Sequence, residues 1–198
     1  NAPMRPATIV LPVAFAAFGV LWGAWQSVLP DLAGHYGLST GPLGAMLTAG
    51  FAVSLPVMIG TGRFVDRFGA GWGMAVPAAA MAASLLAIAT LPPMAGLVAG
   101  VIGLAAGSGA YDVAINGAAM GDATWSRPAR LTLLHASFSA GGVVGAVAAG
   151  TLIGSGVGFT VVYVVLIGAL LLAAVVASRG HWAVAASMGA VPRGVALA

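Results

Sequence analysis

The sequence predicts an all-α membrane protein of six transmembrane helices. Hydrophobic residues make up 61% of the 198 positions and charged residues only 6%, and the mean hydropathy is +1.07, far from the composition of a soluble domain. A bilayer core about 30 Å thick needs about 20 apolar residues in one helix. Stretches of that length occur near residues 7–30, 41–61, 70–91, 94–118, 129–153 and 159–178.

The connections between these stretches are short and carry turn-forming or polar residues. They cover residues 31–40, 62–69, Pro92-Pro93, 119–128 and 154–158. None is long enough to form a soluble domain. Residues 1–180 are therefore predicted to form one transmembrane bundle.

The seven Arg residues predict the orientation of the bundle, because cytoplasmic loops retain Arg and Lys while translocated loops do not. When the loops alternate between the two sides, every Arg falls on the same side: Arg5, Arg63, Arg67, Arg127, Arg130, Arg179 and Arg193. This agreement supports six helices, with both termini cytoplasmic. We expect a multi-pass protein of the cell's inner membrane.

Several classes of function are excluded by composition. The absence of Cys excludes disulfides, thiolate metal sites and cysteine nucleophiles. The Arg residues are scattered singly between apolar stretches and form no patch that could neutralise a run of phosphates, which excludes a nucleic-acid binder. We expect no metal, no cofactor and no enzymatic activity, and the lipid bilayer as the surroundings.

Small residues recur at four-residue spacing in three of the predicted helices. In lipid, such stripes let helix backbones approach closely, so they predict the helix contacts. The stripes are Gly19, Gly23 and Ser27; Gly96 and Gly100; Gly103 and Gly107; Gly141 and Gly145; and Gly142, Ala146 and Gly150.

A short internal repeat relates the first and fourth predicted helices. Residues 23–26 read Gly-Ala-Trp-Gln and residues 109–112 read Gly-Ala-Tyr-Asp. The two segments occupy equivalent points of two three-helix halves that cross the membrane in opposite directions. This arrangement favours two inverted repeats, which is the construction of many secondary transporters, with the binding site at the repeat interface.

Asp112 is the only acid inside a predicted span. A carboxylate there costs at least about 2.5–3.5 kcal/mol, so it indicates a function. Ser108 and Asn116 lie four residues to either side and share its helix face. These three residues are predicted to form a polar wall of the binding site.

His135 in the fifth predicted helix is expected at about the depth of Asp112, because the two positions are equidistant from the middle of the 119–128 loop. Ser139 lies four residues on and extends the same polar face. A carboxylate beside an imidazole in a low-dielectric site suits a proton relay. The alternative is a structural Asp and His pair that fixes helix packing.

Helix one supplies two further candidates for substrate binding. Trp25, with Trp22 three residues before it, fits either an interfacial aromatic belt or stacking on a substrate. Gln26 is an uncharged hydrogen-bonding group within the span.

The segment 62–69, Gly-Arg-Phe-Val-Asp-Arg-Phe-Gly, resembles the signature loop of the major facilitator superfamily of transporters. Gly62, Asp66, Arg67 and Gly69 match that pattern, and the resemblance implies a cytoplasmic gating loop. The sequence departs from it at residues 70–71, Ala-Gly, where that family usually has basic residues.

Two further segments resemble the fucose permease branch of this superfamily and its uncharacterised bacterial relatives. They are residues 109–116, in which Asp112 is followed four residues later by Asn116, and residues 135–141 with Gly145. The resemblance implies that Asp112 carries the substrate-coupled proton. Helix one lacks the permease's second carboxylate and helix four lacks the Arg of drug-proton antiporters, so the substrate and the coupling ion stay open.

The superfamily has twelve helices in two halves, so the resemblance implies that this chain is an N-terminal half whose C-terminal partner completes the path. Residues 181–198 are then the central cytoplasmic loop, and residues 192–195, Pro-Arg-Gly-Val, resemble the opening of a seventh helix.

We predict a secondary transporter that moves a small solute, such as a sugar or other polar metabolite, by alternating access with proton coupling. Efflux of drugs or metabolites by the same fold is an alternative. The sequence also leaves open a non-transporting membrane subunit and an intramembrane serine protease with Ser108 as nucleophile and His135 as base.

Overall fold

The computed structural model describes residues 7–122, 125 and 127–180, and of residues 7–9 only the backbone. These residues form five α-helices and no β-strand. The helices are α1 (Ala7–His35), α2 (Thr40–Thr90), α3 (Pro93–Gly121), α4 (Pro128–Gly154) and α5 (Phe159–Arg179). The predicted loop and helix start within 181–198 lie outside the described residues.

All five helices are long and apolar enough to cross a membrane. The predicted all-α fold class is confirmed, and the helices are compatible with a multi-pass membrane protein. The six-span count, the inverted repeat and the cytoplasmic termini stay predictions.

Helix α2 contains a break at Gly69. Its 51 residues would form a rod of about 76 Å at 1.5 Å per residue, more than twice the thickness of a bilayer core. Gly69 has φ 85° and ψ 162°, a backbone conformation that is essentially restricted to glycine. The helix is thus two segments, residues 40–68 and 70–90.

The contacts with α3 show that these two segments run in opposite directions. Residues 50–58 meet residues 101–109 in the same chain order, whereas residues 77–91 meet residues 96–107 in the reverse order. The first segment is therefore parallel to α3 and the second is antiparallel. The chain reverses its direction at Gly69.

The predicted loop over residues 62–69 was wrong in extent. Residues 62–68 continue the helix. The chain reverses its direction at Gly69 alone, since this glycine adopts a backbone conformation that other residues avoid. Three of the other connections are also shorter than predicted: residues 36–39 instead of 31–40, 122–127 instead of 119–128, and 155–158 instead of 154–158. The fourth, residues 91–92, has the predicted length of two residues.

Glycines bring the backbones of α1 and α4 into contact. A Cβ atom added at Gly19, Gly23, Gly141 or Gly145 would overlap a backbone carbonyl oxygen of the facing helix. Nothing lies within 4 Å of the equivalent position at Gly150. The predicted packing role is confirmed for the first four glycines, whereas Gly150 makes no such contact. The carbonyls belong to Phe138, Gly142, Ala16 and Val20.

The paired residue numbers rise together along α1 and α4, so these two helices are parallel. Ser27 adds a polar link, because its Oγ donates to the carbonyl oxygens of Gly23 and of Ala146 across the interface, each at 3.2 Å. The glycines of α3 have a similar role against the second segment of α2, and these are Gly96, Gly100, Gly103 and Gly107.

Substitutions on α4 test this interface with a matched control. In Gly145→Ala the added methyl group forces the α1 and α4 backbones apart, and we expect a loss of about 1–3 kcal/mol of stability. In Gly150→Ala the methyl group meets open space, and helix propensity favours it by up to about 1 kcal/mol. Thermal unfolding in detergent micelles measures both, and equal midpoints for the two variants would contradict a glycine-dependent contact.

Candidate functional site

Four helical segments surround a cleft of about 300 Å³ in the bundle. They are α1, the first segment of α2 (40–68), α3 and α4. The side chains and backbone that line it belong to Phe15, Phe18, Trp22, Phe51, Ser54, Met58, Ala105, Ser108, Gly109, Asp112, His135 and Phe138.

Helical periodicity explains why these residues meet. Each helix contributes positions three or four residues apart, which lie on one face. On α1 the spacing gives residues 15, 18 and 22, on α2 residues 51, 54 and 58, and on α3 residues 105, 108, 109 and 112. One face of each helix therefore builds one wall of the cleft.

The carboxylate of Asp112 lies at one end of the cleft. It is partly buried, and Nδ2 of Asn116 donates to its Oδ1 at 3.1 Å and to the Asp112 backbone oxygen at 2.9 Å. Because both partners are acceptors, the amide of Asn116 has only one orientation that satisfies them. Asn116 thus stabilises Asp112 from its own helix.

The structure brings His135 to the same end of the cleft as Asp112. Both line it, and the imidazole lies close enough to act electrostatically on the carboxylate. No hydrogen bond between these two described side chains is formed. The His135 ring meets Phe15 edge to face, with 5.6 Å between ring centroids.

Aromatic rings line the rest of the cleft. Phe18 and Phe138 lie 5.6 Å apart between centroids. Farther along α1, Trp22 faces Phe51 with nearly parallel planes, at 6.2 Å and 8°. The order of these residues along α1 gives the cleft a direction, from an acidic end to an aromatic end.

Two serines complete the lining. Ser108 is 4% exposed and its Oγ donates to the carbonyl oxygen of Ala105 at 2.9 Å. Ser54 donates to Phe51 in the same way at 2.7 Å. Each hydroxyl proton is used within its own helix, so the serines offer acceptor lone pairs to the cleft. Ser108 thus makes no hydrogen bond with His135 of the kind a nucleophile and base require.

The other predicted binding residues lie outside the lining. Ser139 is exposed and donates to the backbone oxygen of His135 at 3.1 Å. Gln26 is exposed on α1. Trp25 is 2% exposed and stacks on Tyr163 at 6.1 Å, so it packs in the core of the bundle.

Sequence reasoning did not single out the aromatic lining. Phe15, Phe18, Phe51 and Phe138 were missed, and Trp22 lines the cleft where Trp25 was the candidate. The spacing of residues 15, 18 and 22 was a usable signal, since it puts three rings on one face of α1.

The predicted gating residues lie at the turn of α2. Asp66 and Arg67 are exposed on its last helical turn before Gly69, and Gly62 lies one to two turns earlier. The guanidinium carbon of Arg67 lies 5.3 Å from the ring centroid of Phe68. None of these residues lines the cleft.

Among residues 7–122, 125 and 127–180, no group of three or more His, Asp or Glu side chains could hold a metal ion.

Comparison with known proteins gives no relative for this arrangement: no family model, no curated protein and no solved structure matches the chain. The resemblance to the major facilitator superfamily therefore stays a prediction from the quoted segments.

A double-mutant cycle tests the pairing of Asn116 with Asp112. Asn116→Ala and Asp112→Ala each remove the bond between the two side chains, and the cycle isolates its coupling energy. We expect a coupling of about 0.6–2 kcal/mol, the range for side-chain hydrogen bonds in membranes, measured by thermal or denaturant unfolding. Strictly additive effects would show that the two side chains do not interact.

Proposed function

We propose that this bundle is one half of a secondary active transporter, in which Asp112 takes up and releases a proton while a small solute occupies the cleft. The observation that carries the proposal is the position of Asp112. It faces a cleft between four apolar helices, beside His135. An ionisable group within a membrane-spanning helix usually faces a cavity and marks a substrate or proton path.

The proposed architecture is six spans in two inverted repeats. The break at Gly69 supports the six spans, because it divides α2 into two segments of opposite direction. The helix bounds support the repeat. Helices α1 and α3 are both 29 residues long, and a shift of 86 residues relates both their starts and their ends, as it relates Gly23 to Gly109.

Two glycines with positive φ are related by 87 residues, nearly the same shift as the 86 residues that relate α1 to α3. Gly69 has φ 85° at the end of the first segment of α2, and Gly156 has φ 87° just after the end of α4. The packing follows it too, since α1 lies parallel to α4 and α3 lies parallel to the first segment of α2. A repeat of three helices predicts these equivalences.

In the proposed mechanism, protonation of Asp112 changes the state that the bundle prefers. The ionised carboxylate requires polar surroundings, whereas the neutral acid loses much of that penalty. Neutralisation permits a closed state in which the cleft is isolated from water. Release of the proton on the other side restores the charge and completes alternating access.

A second bundle would close the open side of the cleft. His135 and Ser139 are exposed on α4, which is unusual for polar groups on an apolar span unless they face a partner or water. The second half of a major facilitator fold, implied by the resemblance, supplies such a partner. The α2 turn with Asp66 and Arg67 then contributes to the cytoplasmic gate.

Proton coupling is tested with the full-length protein in liposomes that contain a pH-sensitive dye. Neutral sugars, amines and carboxylates are added in turn, and solute-driven acidification is recorded. We expect Asp112→Asn to abolish the proton movement driven by the accepted solute, because the amide cannot exchange a proton.

Asp31→Asn is the matched control, since Asp31 is an exposed acid near the end of α1. It should transport as the unsubstituted protein does. Coupled proton movement by Asp112→Asn at the normal rate would contradict the proposed role, provided that both variants insert into the liposomes in equal amounts.

A further inference from the structure

The cleft contains few hydrogen-bonding groups and many rings. Its lining has one tryptophan, four phenylalanines and the imidazole of His135. The other polar side chains in the lining are Ser54, Ser108 and Asp112. Each serine hydroxyl donates its proton to a backbone oxygen of its own helix. Among the residues that the structure describes, Asp112 is the only acid in the lining.

These groups are separated along the cleft. Asp112, His135 and Phe15 lie at the acidic end, whereas Trp22 and Phe51 lie at the aromatic end. Contacts between rings show this order, because Phe15 on α1 meets His135 on α4. One to two turns along α1, Trp22 meets Phe51 on α2. A ligand that fits both ends carries a positive group at one end and an apolar group at the other.

We propose that the cleft binds a small organic cation with an aromatic or apolar body, whose ammonium group lies against Asp112. This inference rests on the proposed function, since it names the substrate class of the same site. At the aromatic end Trp22 and Phe51 offer ring surface on which the apolar or aromatic body of the ligand can pack. At the acidic end the ionised carboxylate of Asp112 attracts the positive charge of the ammonium group.

Other ligand classes fit less well. A sugar carries several hydroxyl groups, and most would lose their water without gaining a partner among these rings, which costs free energy for each. An anion would meet the Asp112 carboxylate and the negative faces of the rings. The cation class is the one in which the carboxylate and the rings act together.

The size of the cleft restricts the ligand further. A volume of about 300 Å³ is at the lower end of small-molecule sites, which span roughly 300–1,000 Å³. A compact aryl-alkyl ammonium ion with one ring has the required shape.

The test uses tritiated benzyltrimethylammonium, whose charge does not depend on pH, with the full-length protein in lipid nanodiscs. Three competitors separate the contributions: tetramethylammonium has the charge without the ring, 3-phenylpropionate has the ring with the opposite charge, and glucose is neutral and polar. We expect displacement by unlabelled benzyltrimethylammonium, weaker displacement by tetramethylammonium, and none by the other two.

Variants locate the site. Asp112→Asn should weaken binding by at least about 30-fold, and Trp22→Ala by about tenfold. Asp31→Asn and Trp72→Ala are the matched controls and should bind normally, because Asp31 is exposed and Trp72 is 56% exposed, both outside the cleft. Trp22→Phe should restore part of the affinity.

Equal displacement by glucose or 3-phenylpropionate overturns the inference, as does an unchanged affinity in Asp112→Asn. The competition assay uses the unsubstituted protein. It can therefore overturn the inference even if a variant fails to fold. In one outcome, a neutral solute drives Asp112-dependent proton movement while benzyltrimethylammonium does not bind. That combination refutes the cation as the substrate class and leaves the proposed transport function standing. Cation binding without any solute-driven proton movement refutes transport alone.

Discussion

Direct contact between helix backbones is the interaction on which this bundle depends. Apolar side chains in lipid gain little by leaving one apolar neighbour for another, so helix association relies on close packing. Gly19 and Gly23 on α1 and Gly141 and Gly145 on α4 allow that approach on one side, and the glycines of α3 allow it against α2. These contacts fix which helix faces meet, and the four faces that remain enclose the cleft.

The cleft gives a physical reason for a carboxylate inside apolar helices. Asp112 would cost at least about 2.5–3.5 kcal/mol if it faced hydrocarbon. Its cost is reduced by the amide of Asn116 and by partial exposure to the cleft. Neither of these compensations removes the charge from reach of a ligand or a proton. The same aspartate can therefore serve the proposed proton coupling and the proposed recognition of an organic cation.

Much of the fold could be predicted because membrane helices follow simple length and composition rules, and the rare polar residues stand out against them. Asp112 and His135 were found in this way. The break at Gly69 was placed within a longer loop, because the pattern does not show that one glycine conformation suffices to reverse the chain. The aromatic lining was missed because Phe and Trp occur on lipid-facing, buried and cleft-facing surfaces alike, so their presence in a helix does not show which surface they face. Only the rotation of α1 distinguishes Trp22 from Trp25.

The central claim is that the side chain at position 112 faces a water-accessible cleft and not lipid. These 198 residues contain no cysteine, so single cysteines can be labelled here once any cysteine elsewhere in the full-length protein is replaced by serine. In the variant Asp112→Cys, the thiol should react with a trimethylammonium methanethiosulfonate reagent, which modifies ionised thiols in water. Cysteine at Leu171, 48% exposed on the outside of α5, should not react. Equal inertness of the two cysteines in the inserted full-length protein would contradict a cleft that water reaches.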